Sequence, residues 1–247
     1  MIKNNCINNI LSIETTSNIC GVSIVSDNKV LYENNQDNGL NHSITLFNNI
    51  NEALKKSKLD MKDISIIKVS NGPGSFTGIR IGIATAIGLS KPYNTLIEYV
   101  DTLDTLATNV YRFIYKETNN NEKDTNKNNH YILSMIDARV DRVYISLYNG
   151  YTKEKISKDS IITINELCDK LNSYFIDKSF MFLLVGSGAV NYKSYFKSKL
   201  KINYKIIYKF SDLSSSSLAY TKGIISKVPF TNYMMASKAE RDRIANL

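Results

Sequence analysis

Apolar and polar residues alternate in short runs at the start of the chain, and that two-residue period predicts strands. Ile10 to Glu14, Cys20 to Ser26 and Val30 to Asn34 are three such runs, separated by Thr15-Thr16-Ser17-Asn18 and by Asp27-Asn28, residues that favour turns. Two consecutive hairpins therefore open the fold. The period then lengthens: Leu46, Phe47, Ile50, Ala53 and Leu54 recur at helical spacing, which predicts an amphipathic helix from Ser43 to Lys56 with Glu52, Lys55 and Lys56 on its polar face. Ile64 to Val69 reads as a buried strand, and a helix from about Gly78 to Ser90 stops ahead of Pro92. Thr95 to Val100 is a further strand, and Thr102 to Tyr115 a helix with Asp101 as its N-cap candidate. Thr118 to Asn129, a polar stretch of asparagine, lysine and acids, cannot bury anything and marks an internal boundary. Beyond it strands are predicted at Tyr131 to Ile136, Arg142 to Tyr148 and Phe180 to Val185, with helices near Ile164 to Phe175, Ala189 to Lys199 and Ser214 to Ser226. The second half loosely repeats the grammar of the first, so two related α/β lobes are expected.

Between the strand ending at Val69 and the next helix lies the run Asn71-Gly72-Pro73-Gly74-Ser75-Phe76-Thr77-Gly78-Ile79-Arg80. Gly72 and Gly74 can adopt backbone conformations closed to other residues, and Pro73 fixes one φ between them. The free N–H groups of a helical turn starting after Thr77 would face an anion. The spacing matches neither G-x-x-x-x-G-K-[ST] nor G-x-G-x-x-G, so two readings stand: a phosphate cradle, or a loop that lets a helix press closely on a sheet. Gly78, Gly82 and Ala86 fall at i, i+4 and i+8, a stripe of small residues with Ile79, Ile83 and Ile87 beside it. Two helical glycines cost about 1 kcal/mol each, which close packing offsets, either within the domain or against a helix of another subunit. Ser75 stands in no G-x-S-x-G elbow and has no histidine near it in sequence, so a nucleophile is not indicated.

Composition narrows the class. The 247 residues are 43% hydrophobic and 22% charged, as in ordinary globular proteins. No targeting segment or membrane span is expected, and the protein is expected in the cytoplasm. Cys6, Cys20 and Cys168 form no C-x-x-C pair and are expected as reduced thiols. The net charge of +8 is uneven: residues 1–150 carry 15 basic and 15 acidic side chains, residues 151–247 carry 16 and 8. Lys193, Lys197, Lys199, Lys201, Lys205 and Lys209 follow one another without an intervening acid, with Tyr192, Tyr195, Phe196, Tyr204 and Tyr208 among them. Such a face is either a solvated surface or a site for a polyanion such as tRNA.

The hairpin ribbon followed by helix, strand and helix resembles the actin, Hsp70 and sugar-kinase (ASKHA) superfamily. Leu11-Ser12-Ile13-Glu14-Thr15-Thr16-Ser17, the glycine run through Gly82, Asp137-Ala138-Arg139 with Val143-Tyr144, and Pro229, Tyr233 and Ala239-Glu240-Arg241 near the C-terminus are similar to the TsaB (YeaZ) family. The resemblance covers most of the chain. It implies a two-lobed, ribonuclease H-like α/β fold with mixed sheets flanked by helices. Residues 1–107 with about 212–228 are expected to form one lobe, 108–211 the other, and 229–247 a tail. It also implies a subunit of the machinery that puts threonylcarbamoyl on N6 of the adenosine beside the anticodon of ANN-decoding tRNAs. In that machinery TsaB pairs with its catalytic paralogue TsaD, and the ATPase TsaE binds the pair. A homodimer is expected when the partner is absent, and tRNA contact is weak, through the basic second lobe, or indirect.

The catalytic paralogue carries H-x-x-x-H on its first long helix, where this chain reads His42-Ser43-Ile44-Thr45-Leu46, so no metal site and no catalytic residue are expected. Leu46, Phe47, Ile50, Gly78, Ile79, Gly82, Ile83 and Ala86 are the expected partner-binding residues. On that reading Gly82→Leu separates the partners and leaves the chain folded. Glu14, Thr15, Thr16, Gly72, Gly74, Ser75, Asp137, Gly186 and Gly188 are the candidate nucleotide contacts. No tightly bound cofactor is expected; ATP or ADP with magnesium at a partner interface is the most that the resemblance implies. The competing function is a stand-alone ATP-dependent phosphotransferase or ATPase of the sugar-kinase type, for which no general-base aspartate can be identified.

Overall fold

The computed structural model describes residues 8–37, 42–117, 130–175 and 179–234. The chain runs β1 (Asn9–Glu14), β2 (Ile19–Ser26), β3 (Lys29–Asp37), α1 (His42–Ser57), β4 (Ile66–Ser70), α2 (Phe76–Ser90), β5 (Leu96–Val100) and α3 (Thr102–Glu117). There follow β6 (His130–Arg139), β7 (Arg142–Asn149), β8 (Ser160–Thr163), α4 (Ile164–Tyr174), β9 (Met181–Val185), α5 (Ser187–Asn191), α6 (Lys193–Lys199), β10 (Asn203–Ile206), α7 (Ser215–Tyr220) and β11 (Ile224–Ile225). Two compact units result: residues up to Thr102 with Leu213–Asn232, and Leu103–Asp212 with the residues from Tyr233. The stretch Thr118 to Asn129, Cys6 and the chain beyond Met234 lie outside the described residues.

In the first unit a sheet of order β11-β5-β4-β1-β2-β3 combines an antiparallel meander, β1 to β3, with the parallel strands β4 and β5. Asp27 and Asn28 turn the second hairpin with positive φ (46° and 63°), a conformation their short polar side chains tolerate. Leu11, Ile13, Val22, Ile24, Ile67 and Val69 face one way and meet Leu46, Ile50 and Ala53 of α1 and Ile79, Ile83 and Ala86 of α2. Each of the leucines, isoleucines and valines contributes about 1.5–3 kcal/mol by leaving water, so this face holds α1 and α2 to the sheet.

The second unit repeats the plan. Its sheet, β10-β9-β6-β7-β8, is again an antiparallel meander continued by two parallel strands. Leu133, Met135, Phe182 and Leu184 pack against Leu167, Cys168 and Leu171 of α4 and Phe196 of α6. Burial pushes the Cys168 thiol up to about 11, and that of Cys20 likewise, so neither is a thiolate at neutral pH.

Four expectations on the elements are corrected. α2 begins at Phe76 rather than Gly78, because the Ser75 hydroxyl accepts from the Gly78 N–H and caps the helix two residues earlier. The single helix Ala189 to Lys199 is two short ones, broken at Tyr192, which leaves helical geometry at ψ 16°. The helix Ser214 to Ser226 ends at Tyr220, and the chain then joins the sheet edge, Ile224 opposite Tyr99 and Ile225 opposite Glu98. Strands β8 and β10 were not expected: each has four residues, too few for a period to show.

Candidate functional site: the turn, the glycine loop and the helix face

The glycine run lies against the β1–β2 turn. A Cβ placed on Gly74 would stand 2.4 Å from the Thr16 carbonyl oxygen, and one on Gly78 would stand 1.9 Å from that of Thr15. The Ser75 N–H donates to the Thr16 carbonyl (2.7 Å), and the Thr15 hydroxyl donates to the Gly78 carbonyl (2.8 Å). Gly72, at φ 106°, passes the Asn232 carbonyl, where a Cβ would come within 2.7 Å. Thr15, Thr16, Gly74, Ser75 and Gly78 are thus brought together by backbone meeting backbone, which is the close-packing reading of the run. The N–H of Ser75 is spent on Thr16.

Glu14, at the end of β1, is fully buried. Its carboxylate accepts the Thr16 N–H (2.7 Å), the Thr16 hydroxyl (2.6 Å) and the Ser70 hydroxyl. It is therefore a clamp on the turn that seats the glycine loop, and a hydrated magnesium ion does not fit this carboxylate, which has neither water access nor an oxygen turned outward. Burial raises its pKa above the ordinary 4.5, with the bonds from Ser70 and Thr16 opposing. Because the folded state holds the proton more tightly, the stabilisation from Glu14 is complete below pH 4.5 and is lost as pH rises through the folded value. Glu14→Gln imitates the protonated form: its Oε1 can take both Thr16 donors while Nε2 donates to Ser70. Denaturant titrations are expected to find the glutamine variant at least as stable as the parent at pH 7, with the parent gaining ground toward pH 4. A parent clearly more stable at pH 7 would contradict this assignment.

Alternation along the strands places a second, polar layer on the face away from α1 and α2. Ser12, Glu14, Ser23, Lys68, Ser70 and Glu98 are all buried there. Helix α7, itself a run of buried serines, covers it. Glu33 Oε1 accepts the Ser214 hydroxyl (2.7 Å) and the Ser216 N–H (3.0 Å), and Asn35 Oδ1 accepts the Ser215 N–H (3.1 Å). Burial pushes the Glu33 carboxyl up, but bonds from Ser214, Asn35 and Ser216 outweigh it and leave the pKa below the ordinary value. Lys68 pairs with Glu98 at 3.1 Å and donates to the Thr221 carbonyl (2.8 Å), while Glu98 accepts the Gly223 N–H (2.5 Å). None of this was anticipated. The usable signals were the polar residues at every second position of β1, β2 and β4 and the serine run at 214–217.

The remaining candidate contacts sit in the second unit. Asp137, half-buried near the end of β6, receives the Arg139 N–H (2.8 Å) and the Asn191 amide (2.8 Å), and its own N–H donates to the Ser187 hydroxyl (3.1 Å). Gly186 (φ 103°) and Gly188 lie on the β6 backbone, where Cβ atoms would come within 2.2 Å of the Met135 carbonyl oxygen and 3.1 Å of Met135 Cβ. These three residues are therefore close together, with the glycines again serving a close backbone approach. Among the described residues no three His, Cys, Asp or Glu side chains are grouped to hold a metal ion.

The expected partner-binding set needs correction. Leu46, Ile50, Gly78, Ile79, Gly82, Ile83 and Ala86 are buried in their own unit, and the small-residue stripe faces β1 and β4: a Cβ on Gly82 would stand 2.5 Å from Thr15 Oγ1 and 3.3 Å from Val69 Cγ2. Only Phe47 of the set is exposed, at 54%. Apart from Phe47, the outward positions of the two helices are not those of the expected set. Among them are Ile44 (72% exposed) and Phe47 on α1, followed by the polar Asn48, Asn51 and Glu52, and Arg80, Ala84 and Gly88 on α2, with Arg80 stacked over Phe76 at 3.9 Å.

The paired sheets, each a meander continued by parallel strands under helices, define an actin and sugar-kinase type of α/β protein. Comparison with known proteins narrows the class. The family model described as TsaD, tRNA N6-adenosine threonylcarbamoyltransferase, matches residues 35–224. A tRNA threonylcarbamoyladenosine biosynthesis protein TsaB of Buchnera aphidicola subsp. Schizaphis graminum is 32% identical over 184 residues, 72% of this chain and 78% of the relative. Its counterpart in Buchnera aphidicola subsp. Baizongia pistaciae is 28% identical over 229 residues, 89% and 95% of the two chains. The solved YeaZ of Pseudomonas aeruginosa superposes with a TM-score of 0.66 at 18% identity, over 86% of this chain and 89% of that one, and shares the fold. The chain belongs to the TsaB (YeaZ) family.

Proposed function

We propose that the chain is the TsaB subunit of threonylcarbamoyladenosine formation, pairing with a TsaD-type transferase acting on N6 of the adenosine beside the anticodon in ANN-decoding tRNAs. The names of its relatives support the pathway. The observation that carries the pairing is the outward face of α1 and α2. Ile44 and Phe47 on α1 are large apolar residues in water, and on α2 the exposed Ala84 and Gly88 leave the backbone open to another helix. The chain's part in the reaction is to order its partner rather than to supply a reacting group: Leu46, which replaces the paralogue's second histidine, is a core residue. The pair is then the form that TsaE binds, and the same face supports a homodimer when no TsaD is present. The burial of Glu14 weighs against a stand-alone phosphotransferase.

The test is co-purification with TsaD and reconstituted tRNA modification. Phe47→Glu and Ile44→Glu, both at exposed positions, are expected to leave the fold intact and to weaken the heterodimer by about tenfold or more, with modification falling in step. An unchanged complex would reject this face as the interface.

A further inference from the structure

We infer that the outer surface of α6 and the turn after it dock the sugar-phosphate backbone of RNA, which is the tRNA substrate on the function proposed above, on which this inference rests. The whole charge excess of the chain lies in residues 151–247. Lys193, Lys197, Lys199 and Lys201 are all exposed, while Phe196 is fully buried and anchors the helix beneath them. Among the described residues none of the four lysines enters an ion pair. The acids of the neighbouring helix α4 are engaged locally: Glu166 pairs with Lys170 at 2.8 Å, and Asp169 accepts from the Asn165 amide at 3.3 Å.

The surface is also held in shape. The Tyr195 hydroxyl donates to Asn165 Oδ1 (2.8 Å), and Asn172 both donates to the Lys199 carbonyl (2.9 Å) and accepts the Lys201 N–H (2.7 Å). Helix polarity accounts for Lys197 and Lys199 in the last turn of α6, but Lys193 stands at the opposite end and Lys201 lies beyond the helix. Lys193 and Lys197, one turn apart, share a face of α6, and Lys199 and Lys201 follow at its C-terminal end; four exposed ammonium groups within nine residues offer a site for backbone phosphates. Ser194 and Ser198 are the exposed neighbours on α6, so the surface lacks the apolar side chains that a lipid interface would take up. Tyr174, 77% exposed at the end of α4 and two residues from Asn172, adds a ring on which a base can stack.

Binding of an unmodified tRNA transcript to the full chain, followed by fluorescence anisotropy across a salt series, tests the site. Four phosphate contacts predict a log–log slope of about −3, or roughly a sixtyfold loss of affinity between 50 and 200 mM salt. The combined variant Lys193→Ala, Lys197→Ala, Lys199→Ala and Lys201→Ala is expected to fold normally, since all four side chains are exposed, and to lose most of that slope. Equal affinity and slope in both proteins overturns the inference. So does capture of the parent by phosphatidylserine vesicles without tRNA binding. A chain that fails to support modification but keeps the salt-dependent binding, lost in the variant, leaves this inference standing and removes the functional reading. Equal modification by both forms at sub-saturating tRNA removes this inference alone.

Discussion

Lys68→Met is expected to destabilise the protein by about 3–5 kcal/mol, because it strands the Glu98 carboxylate in a buried layer without its counter-charge. The two side chains are only 10% and 9% exposed, so solvent screening does little for either. The lysine also holds the Thr221 carbonyl, so the substitution loosens the chain where it leaves α7. Pairing Lys68→Met with Glu98→Gln should recover much of the loss: the neutral amide keeps an oxygen for the Gly223 N–H and leaves no charge behind. Chemical denaturation of the parent, the single variant and the double variant measures this. A single variant within about 1 kcal/mol of the parent would show that water reaches the pair, the behaviour of an exposed ion pair.

A comparably large loss, about 3 kcal/mol or more, is expected for Gly78→Ala. The added methyl would meet the Thr15 carbonyl at 1.9 Å, and both partners are backbone, so α2 must lift from the turn. Gly88→Ala in the same helix is the control: its Cβ would have no neighbour within 4 Å, and removing a helical glycine should raise stability by about 0.5–1 kcal/mol. Thermal melts that place the two variants on the same side of the parent would contradict the orientation of α2. The same geometry revises the expectation for Gly82→Leu. A leucine there collides with Thr15 and Val69, so loss of the partner would follow loss of the fold and would say nothing about the interface.

How far the sequence could be read depended on whether a signal was periodic or relational. The meander β1 to β3, α1 and α2 follow from spacing alone, because side-chain direction repeats every two or 3.6 residues. The Gly78, Gly82 and Ala86 stripe was visible too, but small residues mark a close approach without naming what approaches, and here it is the chain's own turn. Glu14 was visible as the end of a strand. Its burial was not, since that depends on Thr16, on Ser70 and on a helix made more than 190 residues later. The polar layer was hidden for the same reason: Lys68, Glu98 and Thr221 acquire meaning only once they are neighbours.

The return of residues 213–232 to the first unit also sets an order of assembly. Synthesis proceeds from the N-terminus, so β1 to β5 leave the ribosome long before α7 and β11 exist. Until then Glu33 and Asn35 have no helix to cap, and strand β5 stands as an open edge able to pair with another chain. The sheet of the second unit lies wholly between His130 and Ile206, so its strands can pair while the first sheet still waits. The sheet begun first is finished last, and a chain that stops short of Leu213 carries it unsealed.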